Sequence, residues 1–166
     1  TQGGLVSGGA STEERGFASA RYGFRISDTA ALRLWMKYFD REDTTLPLGG
    51  AAHDGWDRIH GGFRLDWKPD PDNDVMIQGD AWSADVGDTY SAATPIPFVV
   101  ETANVTSHTF GADVVARWNH RFEPGSNVSV QFVYDHTRRE EHRSEQRRDT
   151  LNLEAEHRFQ PFEGHE

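Results

Sequence analysis

The sequence predicts an all-β chain, an antiparallel meander of about eight amphipathic strands of membrane-crossing length, on three observations. Apolar and polar residues alternate with period two in segments near ten residues long. Short polar turns take turns with longer connections along the chain. No stretch approaches the ~18 consecutive apolar residues of a membrane helix.

Strict alternation begins with Tyr22, Phe24 and Ile26 on one face and Arg21, Gly23 and Arg25 on the other. The polar turn 27–29 follows, and Leu32, Leu34, Met36 and Tyr38 then alternate with Arg33, Trp35, Lys37 and Phe39, which makes a hairpin. After a long polar connection over 42–56, Ile59, Gly61, Phe63, Leu65 and Trp67 alternate with His60, Gly62, Arg64, Asp66 and Lys68. Proline, Asp and Asn over 69–74 make a tight turn. Val75, Ile77, Gly79 and Ala81 continue against Met76, Gln78, Asp80 and Trp82.

Residues 83–107 carry Pro95 and Pro97 without a sustained period and are expected to form a long loop. Phe110, Ala112, Val114, Ala116 and Trp118 then alternate with Gly111, Asp113, Val115, Arg117 and Asn119, a turn over 123–127 follows, and Val128, Val130, Phe132 and Tyr134 form the next strand. The mixed-charge run 137–149 reads as a third long loop before Leu151, Leu153, Ala155 and Phe159. Leu5 and Val6 in the Gly-rich opening supply a weaker first strand, and the chain ends soon after Pro161, at Glu163-Gly-His-Glu166, without a closing strand.

Composition fits a barrel wall better than a packed domain. The hydrophobic fraction is 36% with glycine left out, and counting the 16 glycines brings the apolar share only slightly below the roughly 45–50% of an average globular domain. A mean hydropathy of -0.73 is compatible with strands whose every second residue faces a wet lumen. Charge reaches deep into one face of each strand, which a dry sandwich core does not accept unpaired. The other face carries Tyr, Phe and Trp near strand ends, as an interfacial girdle does. Short turns on one side and long loops on the other orient such a sheet in a bacterial outer membrane, with its apolar face in lipid.

The net charge of -10 argues against a nucleic-acid partner. Cysteine is absent, so neither a disulfide framework nor a thiolate metal site is expected. No signal peptide is read at the start, which makes an exported chain mature or a fragment. No catalytic motif is found, no enzyme activity is expected, and no cofactor or metal is called for. His136, Glu140, Glu141 and His142 lie close in sequence, but arginines surround them and they read as a solvated mixed-charge loop. The Asn104 and Asn127 glycosylation patterns carry no weight in a bacterial envelope protein.

Several segments, in order, resemble a known family: Thr1-Gln-Gly-Gly-Leu-Val-Ser-Gly-Gly, Glu14-Arg-Gly-Phe-Ala-Ser-Ala-Arg-Tyr-Gly23, Leu34-Trp-Met-Lys-Tyr-Phe-Asp-Arg41, His53-Asp-Gly-Trp-Asp57, Gly61-Gly-Phe-Arg-Leu-Asp-Trp67 and Ile77-Gln-Gly-Asp80. They are similar to the first barrel strands of a TonB-dependent outer-membrane receptor. The resemblance implies that residues 1–166 are a partial section of a large barrel of roughly 22 strands, following a plug domain that this chain does not contain. It further implies active import of a scarce small-molecule ligand, such as an iron-siderophore chelate, with TonB acting through the plug. A complete eight-stranded barrel serving as an adhesin or structural protein is the second expectation, and a soluble β-sandwich binding module the third. Pairing of the first strand with the last marks the small barrel, and two packed sheets mark the sandwich.

Candidate ligand contacts follow from position. Trp56, His60, Trp82 and His108 fall near the extracellular rim, where rings stack on an incoming ligand or pack in the girdle. Arg21, Arg25, Arg33, Lys37, Arg64, Arg117 and Arg158 are expected to face the lumen, available to a plug or an anionic ligand. The alternative for each is a partner within the wall, such as Asp66, Asp80, Asp113 or Glu154. An open sheet of this kind is not expected to fold as a soluble monomer.

Overall fold

A computed structural model describes residues 2–123 and 125–159. Pro124 of the predicted turn 123–127, and the terminal stretch containing Pro161, lie outside the described residues. The strands are β1 (Gly3–Gly9), β2 (Glu14–Ser27), β3 (Ala30–Arg41), β4 (Trp56–Asp70), β5 (Asn73–Pro95), β6 (Phe98–Glu123), β7 (Ser126–Glu141) and β8 (Ser144–Phe159). They form a single antiparallel sheet in sequence order. Each strand pairs only with its chain neighbours, and among the described residues β1 and β8 share no contact. The mark of a closed eight-stranded barrel and that of a two-sheet sandwich are both missing from this sheet.

Register turns the alternation into two continuous faces. Tyr22, Leu34, Phe63 and Gly79 are cross-strand partners in succession, and Val114, Tyr134 and Leu151 continue the same row. These and their second neighbours make one apolar face. Ile59 to Trp67 spans about 27 Å at ~3.4 Å per residue, the scale of a ~25 Å lipid-facing band. Trp67 and Trp118 border the band at the short-turn end, with Tyr38 and Phe110 near the other. Among the described residues no large side chain is fully buried, and Leu34, Met36, Phe63, Leu151 and Leu153 stand exposed. Covering such a side chain is worth about 1.5–3 kcal/mol, so this sheet has no core of its own and gains one only from an apolar surrounding.

Two predicted long loops are paired strand instead. Ladder bonding in β5 and β6 continues to Pro95 opposite Phe98, so 83–107 is a hairpin closed at Ile96–Pro97, a cis bond. Likewise β7 and β8 pair to Glu141 opposite Ser144, which reduces the 137–149 loop to a turn at His142 and Arg143. Beyond the reach of β4, residues Gly87 to Pro95 pair only with β6, and the hairpin projects by about 30 Å. Its root is clasped on both sides: Gly87 N–H donates to Gly55 O at 2.8 Å, and Arg143 lies over the Tyr90 ring at 4.6 Å. The opening strand is complete from Gly3 to Gly9, more than the two residues Leu5 and Val6 predict.

The third long connection, residues 42–55, is irregular as predicted and is tied internally. Thr44 donates its hydroxyl to Asp54 Oδ2 at 2.6 Å and its N–H to Oδ1 at 2.7 Å, while Gly55 N–H donates to Asp43 Oδ1 at 2.7 Å. The Thr44 hydroxyl and then its N–H hold the Asp54 carboxyl below the ordinary carboxylate range. A depressed folded value means that the stabilisation is full above the ordinary carboxylate pKa and is lost as pH falls through the depressed one. Protection of the Thr44 amide against hydrogen exchange, corrected for the intrinsic rate, is therefore expected to drop in acid below that range. Asp54→Asn should abolish the acid-dependent step, and an unchanged step would remove Asp54 as its cause.

Candidate functional site

The face opposite the apolar band collects aromatic rings, cations and glycines at the long-loop end of β3, β4 and β5. Lys37, Phe39 and Arg41 alternate along β3 on this face, and Arg41, Phe39, Lys37 and Trp35 pair across to Trp56, Arg58, His60 and Gly62 of β4. The next strand places Ala84, Trp82 and Asp80 opposite Arg58, His60 and Gly62. Because every member of a row points to the same side, the register alone assembles this group.

Rings and cations interlock there. Phe39 meets Trp56 edge-on at 4.7 Å between centroids, and Trp35 meets His60 edge-on at 4.5 Å. Lys37 Nζ stands 5.4 Å from the centroid of Phe39, and the Arg41 guanidinium 5.3 Å from that of Trp56. Arg58 lies over Trp82 at 4.4 Å. His60 donates from Nε2 to Asp80 Oδ1 at 2.7 Å, which fixes the ring against Trp35. Two indoles rest on glycines: a Cβ on Gly62 would lie 3.0 Å from Trp35 Nε1, and one on Gly111 would lie 2.5 Å from Trp82 Nε1. Glycine removes the side chain where a ring must lie flat on the sheet.

Of the four predicted rim residues, Trp56, His60 and Trp82 join this cluster. His108 does not. It pairs with Asp85, in the row that runs through Asp40 and Asp57 above the apolar band, and its Nδ1 donates to Asp85 Oδ1 at 2.6 Å. The parity of β6 decides this, since 108 shares the face of Phe110 and Val114. Trp35, Phe39, Arg41, Arg58 and Asp80 complete the cluster without having been singled out as ligand contacts. Continuing the β3 alternation from Phe39 to Arg41 is the signal that finds Arg41.

All seven predicted lumen cations lie on the polar face. Three have wall partners: Arg64 with Asp66 at 2.8 Å, Arg117 donating to Gln131 Oε1 at 2.9 Å, and Arg158 with Glu156 at 2.6 Å. Among the described residues Arg21, Arg25, Arg33 and Lys37 have no carboxylate within ion-pair distance. The His136 to His142 segment is dispersed: His136 bonds Asp149, Glu140 and Glu141 pair with Arg138 and Arg139, and His142 packs on Tyr90. No metal-binding group of three or more such side chains forms among the described residues.

The fold and cluster together define a one-layer amphipathic sheet whose polar face bears an aromatic and cationic patch. Comparison with family models, curated proteins and solved structures finds no match to the chain.

Proposed function

We infer that this chain is a section of the barrel wall of a TonB-dependent outer-membrane receptor, its first strands by the resemblance above. The apolar face lies in lipid, the polar face lines the lumen beside the plug, and the long hairpins stand outside the cell. The parent receptor imports a scarce small molecule such as an iron-siderophore chelate, driven by TonB through the plug. One observation carries this reading: a single sheet with a continuous apolar band on one face and charge on the other, and no core between layers. Water on both faces leaves the band uncovered, whereas lipid on one face and a wet lumen on the other satisfy both.

The test is made in the source bacterium. Fractionation is expected to find the protein in the outer membrane. Deleting its gene under iron limitation should abolish uptake of at least one radiolabelled ferric chelate, and disabling TonB should do the same. Recovery in the soluble fraction, or unchanged uptake across a panel of ferric chelates, would remove the proposal.

A further inference from the structure

The polar face treats its cations in two ways. Towards β8, Arg148 reaches Asp135 and Arg158 reaches Glu156. Arg21, Arg25 and Arg33 have no carboxylate within ion-pair distance among the described residues, and around Phe39 three such cations converge. Lys37 and Arg41 flank Phe39 along β3, Arg58 sits directly across from it on β4, and no carboxylate comes within ion-pair distance of these three among the described residues. By register the nearby carboxylates on this face are Glu14, opposite Arg41, and Asp80, which His60 occupies, while Asp40, Asp43, Asp57 and Asp85 line the hollow at the strand ends that Arg41 and Trp56 also line. None of them comes within ion-pair distance of the triad among the described residues.

What holds the three cations in place is aromatic. Arg58 stacks on Trp82, Arg41 lies over Trp56 and Phe39, and Lys37 stands beside Phe39. A ring under a guanidinium fixes its plane without using its N–H donors. Arg58 Nε is itself buried with no acceptor among the described residues. A buried donor without a partner carries a desolvation penalty, and an oxygen acceptor relieves it at Nε only where the Arg58 side chain shifts on the Trp82 ring. Three cations without ion-pair partners on an aromatic floor favour an anion with more than one charged oxygen.

We propose that Lys37, Arg41 and Arg58 form a binding subsite for a multivalent oxyanion, with Phe39, Trp56 and Trp82 as its floor. The subsite deepens the transport reading, on which it rests for taking the polar face as the surface that a ligand passes. Carboxylate and phosphate share the required chemistry, and the two probes below separate them.

The test is calorimetric titration of the intact protein, extracted in detergent, with citrate and with tripolyphosphate. At least one is expected to bind, and more weakly as salt rises. Arg41→Gln and Arg58→Gln should each weaken binding roughly tenfold or more, the effect of losing a hydrogen bond to a charged group. Arg58→Lys should restore only part, because it returns charge without the planar fork. Arg148→Gln, on the same face but paired with Asp135, should leave binding within about twofold. Arg41 is exposed, so its variant tests the subsite even where Arg58→Gln fails to fold. Citrate alone assigns carboxylates, tripolyphosphate alone assigns phosphates, and binding of both assigns oxyanion charge. No binding of either probe to the wild type, or an unaltered affinity in Arg41→Gln, overturns the subsite. Oxyanion binding without chelate uptake removes the transport reading and leaves the subsite; uptake without oxyanion binding does the reverse.

Discussion

Val114→Arg is expected to destabilise the inserted sheet by about 2–4 kcal/mol, the cost of a cation on the lipid face at mid-membrane depth, while Val115→Arg is expected to be tolerated. The two valines are consecutive on β6 and point to opposite sides. Val114 lies midway along the band between Phe110 and Trp118, with Gly79 and Tyr134 as its cross-strand partners. Val115 lies between Gln78 and Val133 on the polar face, in the row that also holds Arg33 and Arg64. The measurement is the urea midpoint of the protein refolded into lipid vesicles, with the folded fraction read from heat-modifiable migration on gels. Side-chain volume and β-propensity change equally at both sites, so the difference isolates the medium on each side of the sheet. Equal midpoints for the two variants would sink the membrane reading.

The same contrast explains what was legible in the sequence. On the membrane reading one face of the band meets a different medium from the other, and alternation is the record that this leaves; Tyr22 to Ile26, Leu32 to Phe39 and Ile59 to Trp67 stand at the correct parity. On the same reading both faces of the hairpin above the band meet one medium, and backbone pairing continues there without a periodic record. Residues 87–106 are rich in Thr, Ser and Ala on both sides and read as loop, yet they pair on both sides of the turn at Ile96 and Pro97. The top of β7 and β8 hides in another way. Cross-strand polar pairs, the Arg138–Glu145 ion pair and the His136–Asp149 hydrogen bond among them, stand where apolar partners would signal a strand.

The candidate site divides along the same line. Trp56, His60 and Trp82 have the parity of their strands' polar positions, so alternation brings them together. Distance along the chain says nothing of face, and His108 shares only their height on the sheet. Arg41 and Arg58 were hidden at the borders of the predicted 42–56 loop, because a cation stacked on a ring of the next strand leaves no local pattern.

Gly62→Val is the second large effect expected, a loss of about 1–3 kcal/mol from forcing volume into a filled space. A Cβ at Gly62 would meet Gly79 O and Asp80 Cβ at 2.7 Å each, as well as Trp35 Nε1 at 3.0 Å. The first of these is backbone of the adjoining strand and cannot yield without spreading β4 from β5. Trp35, by contrast, can lift from the sheet, and it would then lose its edge-on contact with His60. Two readouts separate these responses. Urea denaturation reports the whole cost, and the Trp35 emission, measured in a background with the other tryptophans replaced by phenylalanine, shifts to the red if the indole is lifted. Trp35→Ala combined with Gly62→Val should recover only part of the loss, since the clash with Gly79 O persists. Gly61→Val is the control on the neighbouring residue: its nearest obstacle is Trp35 O at 3.2 Å, with Met36 Cγ at 3.6 Å, on the apolar face. A smaller loss is expected there. If Gly61→Val proved as costly as Gly62→Val, the cause would be strand-wide loss of glycine and not the close approach beneath Trp35.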